Sequence, residues 1–187
     1  SEATIKRSIT SALRLQGYAD DQVWYELSYT IGLTHGMNTV AESLSLSPEF
    51  SGEARRVPLI PLVDPLSAAP EVKQILDEAQ AFFAMEWPPA VLLAMAHDWG
   101  YLADYWLALK GIFADGALDR FTKEVMAFAA SVTAGSPYGT DFHLREMRRL
   151  GASERAVIEA LEVTQLFNGF TKIADTLRLT PDFNPRP

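Results

Sequence analysis

Apolar residues in this chain recur at three- and four-residue intervals and nowhere form a convincing alternating run bounded by turn signals. Val72, Ile75, Leu76, Ala79, Phe82 and Phe83 share one face of an amphipathic helix. From Val91 to Phe113 the apolar positions (Leu92, Met95, Trp99, Leu102, Tyr105, Trp106, Leu109) cover more than one face. That predicts a segment buried between other helices or in a subunit contact. A third helix is predicted over Asp119–Ala134, with Phe121, Val125, Phe128, Ala129 and Val132 on its stripe. Gly135 breaks it, and Ser136-Pro137 restarts a helix in the favoured order of N-cap then proline. This fourth helix ends near Leu150 at Gly151, and Ser153 caps the next, which carries Val157, Leu161, Leu166, Phe170, Ile173 and Leu177. Pro58, Pro61, Pro65 and Pro70 make residues 56–70 an extended linker. The chain reads as all-α.

Two stretches resemble each other. Residues 29–50 match residues 162–183 at an offset of 133, with Leu33, Gly36, Ala41, Leu44, Leu46, Pro48 and Phe50 recurring as Leu166, Gly169, Ala174, Leu177, Leu179, Pro181 and Phe183. Gly17-Tyr18-Ala19-Asp20 resembles Gly151-Ala152-Ser153-Glu154 after a one-residue shift. Shared glycine, proline and turn positions are hard to obtain from helical periodicity alone, so two related helical units are expected. The organisation expected is one domain over 1–187: a degenerate first unit (1–50), a proline-rich linker (51–70) and a second unit (71–187). Ile9 and Thr10 stand where the first unit would face the 143 region, so chemistry is expected in the second unit only.

The charge balance narrows the partners. With 16 Lys+Arg against 24 Asp+Glu the net charge is −8, which disfavours nucleic acid and anionic membrane. No apolar run is long enough to span a bilayer, and Ser1-Glu2-Ala3-Thr4-Ile5-Lys6-Arg7 lacks a signal core, so a cytoplasmic protein is expected. Cysteine is absent, which excludes disulfides, thiolate metal sites and thiol redox catalysis by this chain. Three scattered histidines make a metal site improbable, and no cofactor is expected. The aromatic residues concentrated over 82–113 exceed what a small monomer needs to cover, so a homo-oligomer is expected.

Candidate chemistry lies in Lys123–Leu150, KEVMAFAASVTAGSPYGTDFHLREMRRL. This stretch resembles the alkyl hydroperoxidase D-like superfamily, which includes the carboxymuconolactone decarboxylases and peroxidase-related proteins. That family's motif is a Glu on one helix, a glycine, Cys-x-x-Cys opening the next helix, and His four residues after the second Cys. Glu124 stands at the Glu position, Ser136-Pro137-Tyr138-Gly139 replaces Cys-x-x-Cys, and His143 matches the His. Residues 89–109 and 116–119, and Phe167-Asn168-Gly169-Phe170 with Ile173-Ala174-Asp175, extend the likeness over roughly 57–183. The resemblance implies an AhpD-like helical fold, assembled as dimers, trimers or hexamers with pockets close to subunit contacts.

The departure removes the dithiol cycle: Ser136 neither ionises usefully near neutral pH nor forms a disulfide, and Gly139 has no side chain. Ser136 is then an N-cap, or an oxygen nucleophile activated by His143. Glu124 interrupts an apolar face, so at least partial burial is expected, and helices hinged at Gly135 would let it face His143. The two form either a satisfied buried pair or a general acid/base dyad acting on a small molecule. Gly139 leaves room for a substrate or for a closely packed helix, and Tyr138 either binds a ligand or fills the core. Asp141 and Glu146 bring two carboxylates near the imidazole, while Arg145, Arg148 and Arg149 make a basic strip expected to be solvated or in a subunit contact. His35 and His97 are expected to be structural; His35 aligns with Asn168, suggesting a polar helix–helix contact in both units. Two functions compete: cofactor-independent, decarboxylase- or isomerase-like acid/base chemistry by Glu124 and His143, and a non-catalytic ligand-binding or structural homologue.

Overall fold

The computed structural model describes residues 21–50 and 57–180, and the expectations for residues 1–20, 51–56 and 181–187 lie outside it. Among the described residues there are α-helices and no strands: α1 (Asp21–Ser43), α2 (Pro70–Phe83), α3 (Ala90–Met95), α4 (Trp99–Phe113), α5 (Arg120–Ala134), α6 (Pro137–Arg149) and α7 (Glu154–Leu177). Helix α5 is central, packed on α1, α6, α7 and α4. Its ends are set by local chemistry. The Asp119 carboxylate accepts from Thr122 N at 2.7 Å, and Gly135 turns into the left-handed region at φ 66°. Each such cap contributes about 1 kcal/mol.

The run from Val91 to Phe113 divides in two. Asp98 caps a fresh helix by accepting from Tyr101 N at 3.0 Å, and His97 between α3 and α4 bonds the Pro61 carbonyl through Nε2 at 2.7 Å. Both halves supply the main core, with Leu92, Leu93, Leu102, Trp106, Leu109 and Phe113 buried against Leu76 and Phe83 of α2. Most aromatic residues of this stretch are thus covered by the chain itself. Much of the uncovered apolar surface is on α7, where Leu161, Leu166, Phe167, Phe170, Ile173 and Leu177 are exposed and only Val157 and Thr164 are buried.

Helix α1 buries a stripe that is polar for much of its length: Val23, Glu26, Thr30, Thr34, Met37, Asn38 and Ala41. Glu26 anchors it to the α4–α5 loop. Its carboxylate accepts from Ala117 N and Leu118 N at 2.8 Å each and pairs with the buried Lys123 Nζ at 2.9 Å. Burial pushes Glu26 up, but bonds from Gln22, Leu118, Ala117 and Lys123 outweigh it and hold the group at about 2. Gly116 is required here, because a Cβ would lie 2.3 Å from Glu26 Oε1.

Helices α1 and α7 end alike. Ser45 and Arg178, 133 residues apart, both take positive φ (56° and 51°). Leu46 N then bonds Ala41 O, and Leu179 N bonds Ala174 O, each at 2.9 Å.

Candidate functional site

Glu124 and His143 meet in the interior. Gly135 reverses the chain between α5 and α6, and His143 Nδ1 lies 2.8 Å from Glu124 Oε2. Both are buried, Glu124 completely and His143 to within 2%. The imidazole stacks on Phe113, centroids 5.8 Å apart, and meets Phe142 edge-on at 5.5 Å. Arg120 Nε is 3.5 Å from Glu124 Oε1, too far for a good hydrogen bond. Glu124 Oε1, Arg120 Nε and His143 Nε2 are therefore buried without a hydrogen-bond partner. Leaving such a group unpaired costs about 1–3 kcal/mol.

The other carboxylates near the imidazole are engaged elsewhere. Asp141 Oδ2 accepts from Phe50 N at 2.6 Å. Glu146, fully buried, is neutralised by Arg120 (2.8 Å), Arg149 (2.7 Å) and Arg145. The basic strip therefore divides: Arg145 and Arg149 fold back onto buried Glu146, whereas Arg148 makes an exposed pair with Glu154. Asn168 bonds Thr133 between α7 and α5, but its counterpart His35 is exposed on α1.

Ser136 and Gly139 are enclosed by the first helix. Ser136 Oγ accepts from Gly139 N at 3.1 Å, as an N-cap should, and donates to Glu42 Oε1 at 2.9 Å. That proton is directed at Glu42, while His143 Nδ1 faces Glu124. A Cβ on Gly139 would lie 2.0 Å from Asn38 Oδ1 and 2.6 Å from Ser131 Oγ. The room beside Gly139 is thus occupied by Asn38, bonded to Ser131 Oγ at 3.1 Å. Close helix packing, and not a pocket, explains the glycine.

Tyr138 points elsewhere. Its buried hydroxyl donates to Glu49 Oε1 at 2.8 Å and accepts from Val91 N at 3.3 Å; Ala90 N also donates to Glu49 Oε1, at 2.5 Å. Glu49 Oε2 is buried and unpartnered. Burial raises this carboxyl to about 7, against the lowering effect of the bonds from Ala90 and Tyr138. Burial and the neighbouring Glu49 push Tyr138 well above its ordinary range. Glu49 borders a cavity of about 990 Å³ between the segment after α1 and the α2–α3 connection.

The surroundings of positions 136–139 are not built by the second unit alone. Asn38, Glu42 and Glu49, all from the first fifty residues, complete the surroundings of positions 136–139. Sequence reading missed them, although Glu26, Thr30, Thr34, Asn38 and Glu42 recur every fourth residue. A polar stripe at helical spacing was the available signal.

Comparison with known proteins agrees with this architecture. The model of the carboxymuconolactone decarboxylase family matches residues 101–182. An uncharacterized protein 4 in the cox locus of Paracoccus denitrificans is 41% identical over 61 residues, 32% of this chain and 55% of that protein. The chain thus spans about half the length of this curated relative. The crystal structure of the alkylhydroperoxidase AhpD core from Rhodospirillum rubrum superposes with a TM-score of 0.63, over 68% of this chain and 96% of that one, at 23% identity. Residues 101–182 thus resemble the carboxymuconolactone decarboxylase family, and the fold is AhpD-like.

Proposed function

We propose that this chain is a thiol-independent member of its superfamily that binds a small molecule and does not reduce peroxide through a dithiol. The carrying observation is the enclosure of positions 136–139. Asn38 and Ser131 occupy the room a second thiol would need, and Ser136, in place of the first, is 1% exposed and bonded to Glu42. The cavity beside Glu49 offers the space that the surroundings of Glu124 and His143 do not.

A protein-detected NMR titration with neutral, cationic and anionic aromatic fragments tests this reading. Shifts should centre on the Trp87 indole at the cavity, with the His143 imidazole unmoved. Fragments that shift His143 first would transfer the function to that pair.

A second reading is favoured by one observation: the buried, unpartnered His143 Nε2 and Glu124 Oε1. Such a couple suits cofactor-independent acid/base chemistry of the decarboxylase or isomerase type, with His143 moving a proton and Glu124 orienting the ring. Under it, His143→Gln abolishes turnover of whatever substrate is found; unchanged turnover removes the pair from the mechanism.

Assembly through α7 belongs to the same proposal. Leu166, Leu177 and Leu179 are exposed, whereas Leu33 and Leu44 at the matching positions are partly buried and Leu46 fully so. The shared helix endings support a common origin of the two units, and a second copy of the chain is the occupant expected on α7.

A further inference from the structure

The cavity beside Glu49 has features that select among ligands. Its walls are nearly as polar as apolar: Leu46, Leu62, Met85 and Leu93 stand beside Ser47, Glu49, Glu86 and Arg145, and the exposed rings of Phe50 and Trp87 also line it. Glu49 lines this cavity, and its Oε2 is buried without a partner. Its sister Oε1 is already occupied by Tyr138 and Ala90, so Glu49 is held in place and a ligand need not organise it.

The charges around it have a sign. Glu49 faces Tyr138, Asp141 and Arg145 of α6 and the Ala90 N–H at the start of α3; Glu86 also lines the cavity. Arg145 is the cation of this set, and it is committed. Its Nη1 donates to Phe83 O and Glu146 Oε1, its Nη2 donates to Ala84 O at 2.6 Å, and its guanidinium lies 5.2 Å from the Phe50 ring centroid. An anionic ligand would meet Glu49 and Glu86 and would have to compete with Phe83 O, Ala84 O and Glu146 for Arg145. A ligand bearing an ammonium would supply the donor that Oε2 lacks and bring the opposite charge.

We propose that this cavity is a binding site for an organic amine with an apolar, aromatic body, its ammonium on Glu49 Oε2 and its body between the aliphatic wall and Trp87. The inference rests on the reading of the chain as a small-molecule binder and names the class of molecule.

The test compares phenethylamine, 2-phenylethanol and phenylacetate by calorimetry and Trp fluorescence on the full chain, at pH 6 and pH 8. Phenethylamine should bind tightest. Because Glu49 ionises at about 7, its affinity should rise about tenfold from pH 6 to pH 8 while that of 2-phenylethanol stays level. Glu49→Gln, of nearly the same shape, should abolish the amine preference and the pH dependence while retaining the alcohol. Preference for the alcohol or the acid, or a pH-independent amine affinity, overturns the amine assignment and leaves a binder of another class. Failure of all three probes to bind overturns the assignment and the binding reading together.

Discussion

Substituting Gly139 by Ala is the sharpest probe of how the first helix closes the site. On propensity alone the change should stabilise α6 by up to about 1 kcal/mol, since glycine is the poorer helix former. Geometry reverses the sign. The new methyl would stand 2.0 Å from Asn38 Oδ1 and 2.6 Å from Ser131 Oγ, inside any permissible contact. Asn38 is 3% exposed and Ser131 fully buried, so neither can swing into solvent. Overpacking of this kind costs about 1–3 kcal/mol, and displacing Asn38 also forfeits its bond to Ser131, about 1 kcal/mol more. The net expectation is a loss of about 1–3 kcal/mol, a fall in Tm of several degrees for a chain of this size. Removing the obstacle should remove the penalty: in an Asn38→Ala background, Gly139→Ala should become neutral or stabilising. Urea unfolding of the four proteins in this cycle measures the coupling directly. A neutral Gly139→Ala in the wild-type background, or the same loss with Asn38 removed, would refute the claim that α1 fills the room beside position 139.

Three further outcomes are expected. Glu26, held at about 2 against an ordinary 4.5, contributes stability that is complete above pH 4.5 and lost as the pH falls toward 2, about 3 kcal/mol in all. Unfolding measured from pH 5 to pH 2 should show that decline, and the doubly neutral Glu26→Gln/Lys123→Met protein should lack it; an equal decline in both would exclude Glu26 as the source. Sedimentation at micromolar concentration should give a species heavier than the 20.7 kDa monomer, with Phe170→Asp on α7 returning it to that mass; a monomeric wild type would dismiss α7 as an interface. Mixing the chain with an organic hydroperoxide and a dithiol reductant should give no reduction above the uncatalysed rate, and catalysis above that rate would refute the reading of the chain as a small-molecule binder without peroxidase activity.

The sequence by itself determined α2 and the helices from α5 onward, their caps at Asp119, Ser136 and Ser153, the break at Gly135 and the placing of Glu124 and His143 on consecutive helices. These follow from short-range rules: apolar spacing, a capping oxygen three residues before an amide, and a hinge short enough to fold one helix onto the next. It was silent on the division between α3 and α4, where an apolar run continues across the Asp98 cap. Tertiary structure alone decided what surrounds positions 136–139. Asn38, Glu42 and Glu49 lie about ninety residues from their partners Ser131, Ser136 and Tyr138, and side chains that meet through packing leave no mark on local periodicity. It also decided which apolar stripe is satisfied within the chain. The stripes of α2 and α7 look alike in sequence, yet α2 is buried by α4 while α7 keeps most of its face in solvent. Burial depends on which surfaces the fold brings together; periodicity only prepares a face for it.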